Sequence, residues 1–282
     1  MKTLIVNGDD FGLSREVNAG IIRSNQAGIL NSASLMVAEK ACDEAVEYAR
    51  RTAALDVGLH LVVCKGRSTL GAARLGSLVD SMGRFGESPV STGMQYFFDR
   101  AAREPLKAEC RAQIEAHLRR VGYLHHIDGH LNFHVHPVIA DILIELAVEY
   151  RVPCLRLPRE ELLTSLKLAP QRVARKLTEA VICRMLSLRA RRRMRQHGLK
   201  TTDWLFGLYQ SGNWNEAYLL GVISRLREGC TELYFHPAMS VGANTPDPEA
   251  QLETEMLCSE KITAAITANR VKLSTFAELA RR

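Results

Sequence analysis

Short apolar stretches alternate with longer amphipathic ones along the whole chain. Residues 3–7, 32–37, 56–63, 125–128, 154–157, 203–206, 231–235 and 271–274 carry the residue types of buried strands. Between them, spacings of three and four predict helices at 15–28, 41–51, about 105–121, 137–150, 171–196, 213–227 and 248–269, with a short helix at the end. In the first of these Val17, Ile21, Ile22 and Ile29 fall near one face, and Gly28 lies near its end. Pro137 opens another at its first turn. Residues 64–104 are less regular, rich in Gly and Ser, and read as a long excursion beside the active face.

Repeated βα units with right-handed crossovers imply a parallel sheet. About seven strands favour an irregular (β/α) barrel of α/β class over the regular eightfold one. We expect a single domain over residues 1–282, with a basic helical excursion at about 167–200.

Composition narrows the class. Of 282 residues, 46% are hydrophobic and 24% charged, as in soluble globular proteins. No apolar run approaches the length of a bilayer span, and Met1-Lys2 leads straight into a strand without a signal-peptide pattern. The seven cysteines are scattered, with no CxxC pair, and read as reduced thiols in a cytoplasmic protein.

The net charge of +6 is unevenly spread. Residues 167–200 hold eleven Lys and Arg against one acid, Glu179, so this segment carries +10 and the rest −4. In that predicted helix Val173, Leu177, Val181, Met185 and Leu188 form an apolar stripe. A solvated outer helix packing its stripe on the barrel is the plain expectation. No aromatic residue lies between 167 and 200, which speaks against nucleic acid. Arg189, Arg191, Arg192, Arg193 and Arg195 are instead candidates for peripheral contact with an anionic membrane surface.

Chemistry in α/β folds gathers at the carboxyl ends of strands. The first strand runs directly into Asp9-Asp10. Adjacent carboxylates repel unless a cation compensates, and a metal ion is the simplest compensation. One Asp would bind it while the other stays free as a base. A helix-capping Asx turn explains the same residues, so the histidines must decide. His60 closes the third strand in Gly58-Leu59-His60-Leu61; alone, it reads as a packed core residue. The stretch from His125 to Pro137 holds five histidines and Asp128 where a strand passes into a helix. A polar loop needs no such number, whereas imidazole is the commonest side-chain ligand of divalent ions. His236-Pro237 places one more histidine at a strand end. Four strand ends thus carry Asp or His, and in a barrel they converge on one face.

Together, Asn7-Gly8-Asp9-Asp10-Phe11-Gly12, Gly58-Leu59-His60-Leu61, His126-Ile127-Asp128-Gly129-His130 through His134-Val135-His136-Pro137, and His236-Pro237 resemble the YdjC-like family of ChbG-type carbohydrate deacetylases, over about residues 1–240. The resemblance implies an irregular (β/α) barrel related to polysaccharide deacetylases. It also implies a divalent-metal hydrolase that removes acetyl from an N-acetylated amino sugar. Within the family the chain is most similar to the hopanoid biosynthesis-associated, HpnK-like members, which implies N-acetylglucosamine linked to a hopanoid lipid. Carried over by position, Asp10, His60 and His130 bind the metal, Asp9 is the general base, and His236 is the acid or transition-state partner. Asp128, His126 and His134 orient the ligands or meet substrate. Where many relatives have a further histidine this chain has Asn132, which is therefore not counted as a ligand.

These residue types suit amide hydrolysis. A divalent ion held by one carboxylate and two imidazoles lowers the pKa of bound water and polarises the acetyl carbonyl. Zinc and magnesium both remain open as its identity. The same trio is the facial triad of non-haem iron oxygenases, an alternative of a different class. Such oxygenases generally use antiparallel jelly rolls and need no adjacent Asp as base. Deacetylation of a soluble N-acetylated oligosaccharide is the nearer alternative. A non-catalytic binding module would leave the Asp pair unexplained.

Overall fold

The first strand is the axis of the sheet in the computed structural model, which describes residues 1–240 and 249–282. The strands are β1 (Lys2–Phe11), β2 (Ser32–Leu35), β3 (Asp56–Leu61), β4 (His126–Gly129), β5 (Cys154–Leu155), β6 (Trp204–Phe206), β7 (Gly229–Phe235) and β8 (Val271–Leu273). Their order is β5-β4-β3-β2-β1-β7-β6, and every pairing is parallel. The short β8 pairs with β1 at Lys2–Leu4, on the edge that β2 takes over from Asn7 onward. At the far ends of the path, Cys154 and Lys200 form an isolated parallel bridge, and Leu205 N donates to Arg159 O. The sheet therefore curls into an incompletely closed, irregular barrel of seven strands in sequence, as the strand pattern predicts.

The pattern of burial explains why these segments are strands. Leu4, Ile5 and Val6 are fully buried, as are Val57, Leu59 and Leu61 of β3, because helices cover the outside of the sheet and side chains fill its inside. The helix Arg15–Ala27 starts at Ser14, whose hydroxyl accepts from Val17 N. The helix Pro137–Glu149 begins at its proline, and Arg103–Val121 ends at Gly122 in the left-handed region.

Some elements differ from the sequence pattern. The helix expected over 248–269 is two, Ala250–Leu257 and Glu260–Ala268, because the chain turns at Cys258 and Ser259 occupies a new N-cap position. Its expected start at Pro248 lies outside the described residues. A short helix, Leu162–Leu168, precedes the basic one, which spans Val173–Gln196. The excursion at 64–104 carries the helix Pro89–Phe98 and several short turns. Among the described residues no helix is long and apolar enough to cross a membrane.

Candidate active site

The two adjacent carboxylates lie inside β1, which continues past them to Phe11. In a regular strand neighbouring side chains point to opposite faces. Here Asp10 takes a left-handed backbone conformation, φ 65°, and the register with β2 slips between Gly8 and Phe11. This bulge re-aims the chain so that both carboxylates reach one cluster. Each is almost fully buried, and each has its own set of partners.

Asp10 meets two histidines. His60 Nε2, from β3, lies 3.1 Å from Asp10 Oδ1, and His130 Nδ1, just beyond β4, lies 2.9 Å from the same oxygen. Asp10 Oδ2 is buried with no hydrogen-bond partner. The other nitrogen of His60, Nδ1, donates to Asp128 Oδ1 at 2.8 Å. Burial opposes charge on Asp10, but His130 and His60 hold its carboxyl well below the usual carboxylate range. Burial likewise opposes charge on His60, yet Asp128 and Asp10 outweigh it and lift its pKa to about 10. His60 flanked by two carboxylates must carry both protons unless another cation takes the place of one.

These features fit a divalent ion. Ligand atoms of Asp10, His60 and His130 lie within 4.8 Å of one another, and an orphaned carboxylate oxygen faces them. Two imidazoles and a carboxylate, with His60 backed by Asp128 through its second nitrogen, are the donor set and the outer support of a zinc-type centre. Asp9, His60 and Asp128 also lie close enough to share an ion. That trio is the poorer one, because an arginine already holds oxygens of both Asp9 and Asp128.

The arginine is Arg156, directly after β5. Its Nη1 donates to Asp9 Oδ2 at 2.6 Å and its Nη2 to Asp9 Oδ1 at 2.8 Å. Nη2 also lies 2.8 Å from Asp128 Oδ2, and Nε donates to Glu232 Oε1 of β7 at 2.7 Å. The guanidinium stands 4.9 Å from the Tyr234 ring centroid. Asn7 Nδ2 donates to Asp9 Oδ1 at 2.7 Å and to Ser34 Oγ at 2.8 Å, and Ser34 Oγ donates to Asp128 Oδ2 at 2.6 Å. Burial opposes charge on Asp128, but Arg156 and His60 hold its carboxyl far down. For Glu232 burial outweighs Arg156 and raises the pKa to about 7. Motif reading missed Arg156, Glu232 and Ser34, and it gave Asn7 no role of its own. The signal available was a charged residue inside a run of strand-forming neighbours, Leu155-Arg156-Leu157 and Thr231-Glu232-Leu233, where an unpaired charge could not be buried.

The remaining histidines do not all converge. His236 follows β7, one residue beyond the Phe235–Gly8 pair. Its backbone N donates to Glu253, and its ring lies 5.8 Å from that of Tyr234. His126 Nε2 is 3.2 Å from Ser34 Oγ, its ring stacks on Phe276, and burial lowers its pKa to about 4. It therefore reaches Asp128 only through Ser34. His134 is buried against Gly129, with its pKa also lowered to about 4, and forms no hydrogen bond to the carboxylate–histidine cluster. His125 pairs with Asp56 at the opposite end of β3, and His136 reaches Gly93 O. Of the basic-segment candidates, Arg189 and Arg193 are both paired with Asp141, while Arg192 and Arg195 are exposed.

A family model described as YdjC-like protein matches residues 3–268. A carbohydrate deacetylase of Thermoanaerobacter pseudethanolicus is 26% identical over 284 residues, covering 99% of this chain and all of that protein. One from Brevibacillus brevis is 39% identical over 150 residues, a match that spans 53% of this chain and 57% of the relative. Among solved structures, a candidate cellobiose-phosphate cleavage protein of Enterococcus faecalis V583 has the same fold. Its TM-score is 0.77 at 23% identity, over 99% of this chain and 98% of that one. With the match running across nearly its whole length, the chain belongs to the YdjC-like family.

Proposed function

We propose that this chain is a metal-dependent carbohydrate deacetylase that removes acetyl from an N-acetylated amino sugar, with N-acetylglucosamine on a hopanoid lipid as its substrate. The observation that carries the chemistry is the division of labour between neighbouring carboxylates: Asp10 faces His60 and His130, whereas Asp9 faces Arg156. Full-length relatives named carbohydrate deacetylase supply the substrate class. The hopanoid comes from the resemblance alone.

Asp10, His60 and His130 would hold the ion, zinc or magnesium. When bound, it supplies a polarised acetyl carbonyl and a more acidic water. Asp9 takes the proton from the attacking water. An ionised carboxylate offers about four acceptor sites. Asn7 and Arg156 occupy Oδ1, and Arg156 takes one site on Oδ2, so Oδ2 keeps the lone pair for the proton. Arg156 keeps Asp9 oriented through both of its carboxylate oxygens. His236 gives the departing amine its proton, so that water and amide become acetate and free amine. The parallel sheet and the Asp9 base both favour hydrolysis over the oxygenase reading.

A lipid-linked sugar places the enzyme at the inner face of the cytoplasmic membrane. The charge of +10 over residues 167–200 supports peripheral contact there. The test is acetate release from N-acetylglucosaminyl hopanoid and from soluble chito-oligosaccharides by purified protein, with and without chelation. Acetate release from both, preferring the lipid and lost on chelation, is expected. No release from any N-acetylated sugar after metal loading would overturn the reading. Release from the oligosaccharides alone would replace the lipid by a soluble substrate.

A further inference from the structure

The basic helix Val173–Gln196 leaves its apolar stripe uncovered. Its buried face consists of Lys176, Ser187, Ala190 and Met194, and Lys176 Nζ donates to Ala169 O. Val181 is 60% exposed, Met185 67% and Leu188 56%. The expectation that this stripe packs on the barrel is therefore corrected. Arg156 reaches Asp9, while Leu157 and Arg159, which follow it, line a cavity beside the helix. That cavity, of about 550 Å³, opens between the helix and the segments 157–163, which follow β5, and 201–204, which lead into β6. Leu157, Leu162, Leu177, Val181, Leu188 and Trp204 line it.

Three guanidinium groups, Arg159, Arg184 and Arg191, stand among the lining residues. Among the described residues none of them lies within ion-pair distance of a carboxylate; Arg159 and Arg191 repel each other, and Asp203 attracts Arg191 from further off. Deeper, Thr202 is 2% exposed, and its hydroxyl has no hydrogen-bond partner. The one indole in the wall already meets two guanidinium groups. Arg159 covers Trp204 at 4.7 Å and Arg227 covers it at 4.9 Å. A second copy of this chain would bring another segment of the same charge against this one.

We propose that this groove takes one acyl chain of an anionic phospholipid, its headgroup held by Arg159, Arg184 and Arg191. The proposal rests on the reading that the protein works at a lipid surface, and it adds an apolar seat to what charge alone would do. The volume lies within the range of pockets that enclose small ligands, about 300–1,000 Å³. Apolar side chains outside the mouth continue the surface toward a bilayer, as on an interfacial helix. Charge draws the protein to the surface, and the groove then fixes which face meets it.

The test compares wild type with Val181→Gln/Leu188→Gln, with Ala180→Trp, which fills the groove, and with Arg184→Gln/Arg191→Gln. Circular dichroism and hydrolysis of a soluble acetylated sugar serve as controls for folding. The probes are phosphatidylglycerol–phosphatidylcholine vesicles in co-sedimentation and a fluorescent fatty acid in titration. One fatty-acid site per chain is expected, weakened at least tenfold by the apolar pair and by Ala180→Trp. Vesicle binding should fall in all three variants, with the arginine pair also flattening its salt dependence. Absence of fatty-acid binding in wild type would overturn the groove. Vesicle binding lost with the arginines but unchanged in both groove variants would also overturn it, and would leave the lipid-surface reading standing. Vesicle binding unchanged in every variant would overturn both. A concentration-dependent dimer abolished by the apolar pair would assign the face to a second copy instead.

Discussion

Arg156 grips Asp9 through both arms of its guanidinium, Nη1 to Oδ2 at 2.6 Å and Nη2 to Oδ1 at 2.8 Å, with both side chains almost fully buried. The same group reaches Asp128 and Glu232, so one cation balances three enclosed carboxyl groups. Arg156→Met would leave them uncompensated, and we expect a loss of about 3–5 kcal/mol in urea unfolding. Adding Glu232→Gln should recover part of it. Arg156→Lys keeps the charge but not the fork, so Asp9 loses its orientation. That variant should fold and bind substrate, with kcat down about 10²-fold and KM little changed. A normal kcat in the lysine variant would show that Asp9 does not depend on Arg156 for its placement.

Asp9→Asn should retain metal and lose turnover by about 10²–10⁴-fold, the usual worth of a general base. His60→Ala and His130→Ala should instead lose the metal while keeping the fold. Asp128→Asn removes the carboxylate behind His60 and should weaken metal affinity about 10–100-fold. Elemental analysis and competition with a chelating dye separate these outcomes. Full occupancy in both histidine variants would remove them from the metal centre.

Gly58→Ala tests a close approach. A Cβ there would lie 2.3–2.5 Å from atoms of the His126 ring, which is wedged against Phe276 and cannot retreat freely. Overpacking of this kind costs about 1–3 kcal/mol. Displacing His126 also disturbs Ser34, which bridges it to Asp128. The measurable result is a lower unfolding midpoint together with weaker metal binding, and unchanged stability would mean that the ring shifts without cost.

Glu160 gives a pH dependence away from the carboxylate–histidine cluster. The residue keeps some exposed surface, but its carboxyl is enclosed, accepting from Ser165 Oγ and from the backbone N of Gly207 and Tyr209. Burial outweighs these bonds and raises its pKa from 4.5 to about 7. A raised folded-state pKa means the folded state binds the proton more tightly than the unfolded one. The stability from Glu160 is thus fully present below pH 4.5 and is lost as pH rises to about 7. Glu160→Gln should remove this fall, so the difference between variant and wild type in urea unfolding should grow from pH 5 to pH 7 and then level off. A constant difference would place the Glu160 pKa at its ordinary value.

The strands were legible because their runs of Val, Ile and Leu are short and fully buried. The bearing of Asp9, Asp10, His60 and His130 on one site was legible from their places near strand ends. The bulge at Asp10 was not, since nothing in its residue type requires φ 65°. The Arg156–Glu232 pair spans 76 residues and depends on which strands the closing barrel brings opposite each other. Periodicity found the helix Val173–Gln196 but not the side it buries. A stripe of Leu and Val normally turns inward, whereas here Lys176 and Ser187 do. The break at Ser259 had a local cue, an N-cap residue in mid-helix, which the apolar spacing on either side masked.

The strand at the centre of the sheet is also the one whose neighbours are synthesised furthest apart in time. Lys2 pairs with Gly229 on one edge and with Val271 on the other. Until those residues have emerged, β1 has one bare edge and half of the other, and a bare edge invites pairing with other chains. Contacts of such sequence separation slow folding and prolong this exposure. A nascent chain arrested before β7 would thus hold Asp9 and Asp10 on an unsupported strand, and chaperone dependence during synthesis should be set by the arrival of the last fifth of the polypeptide.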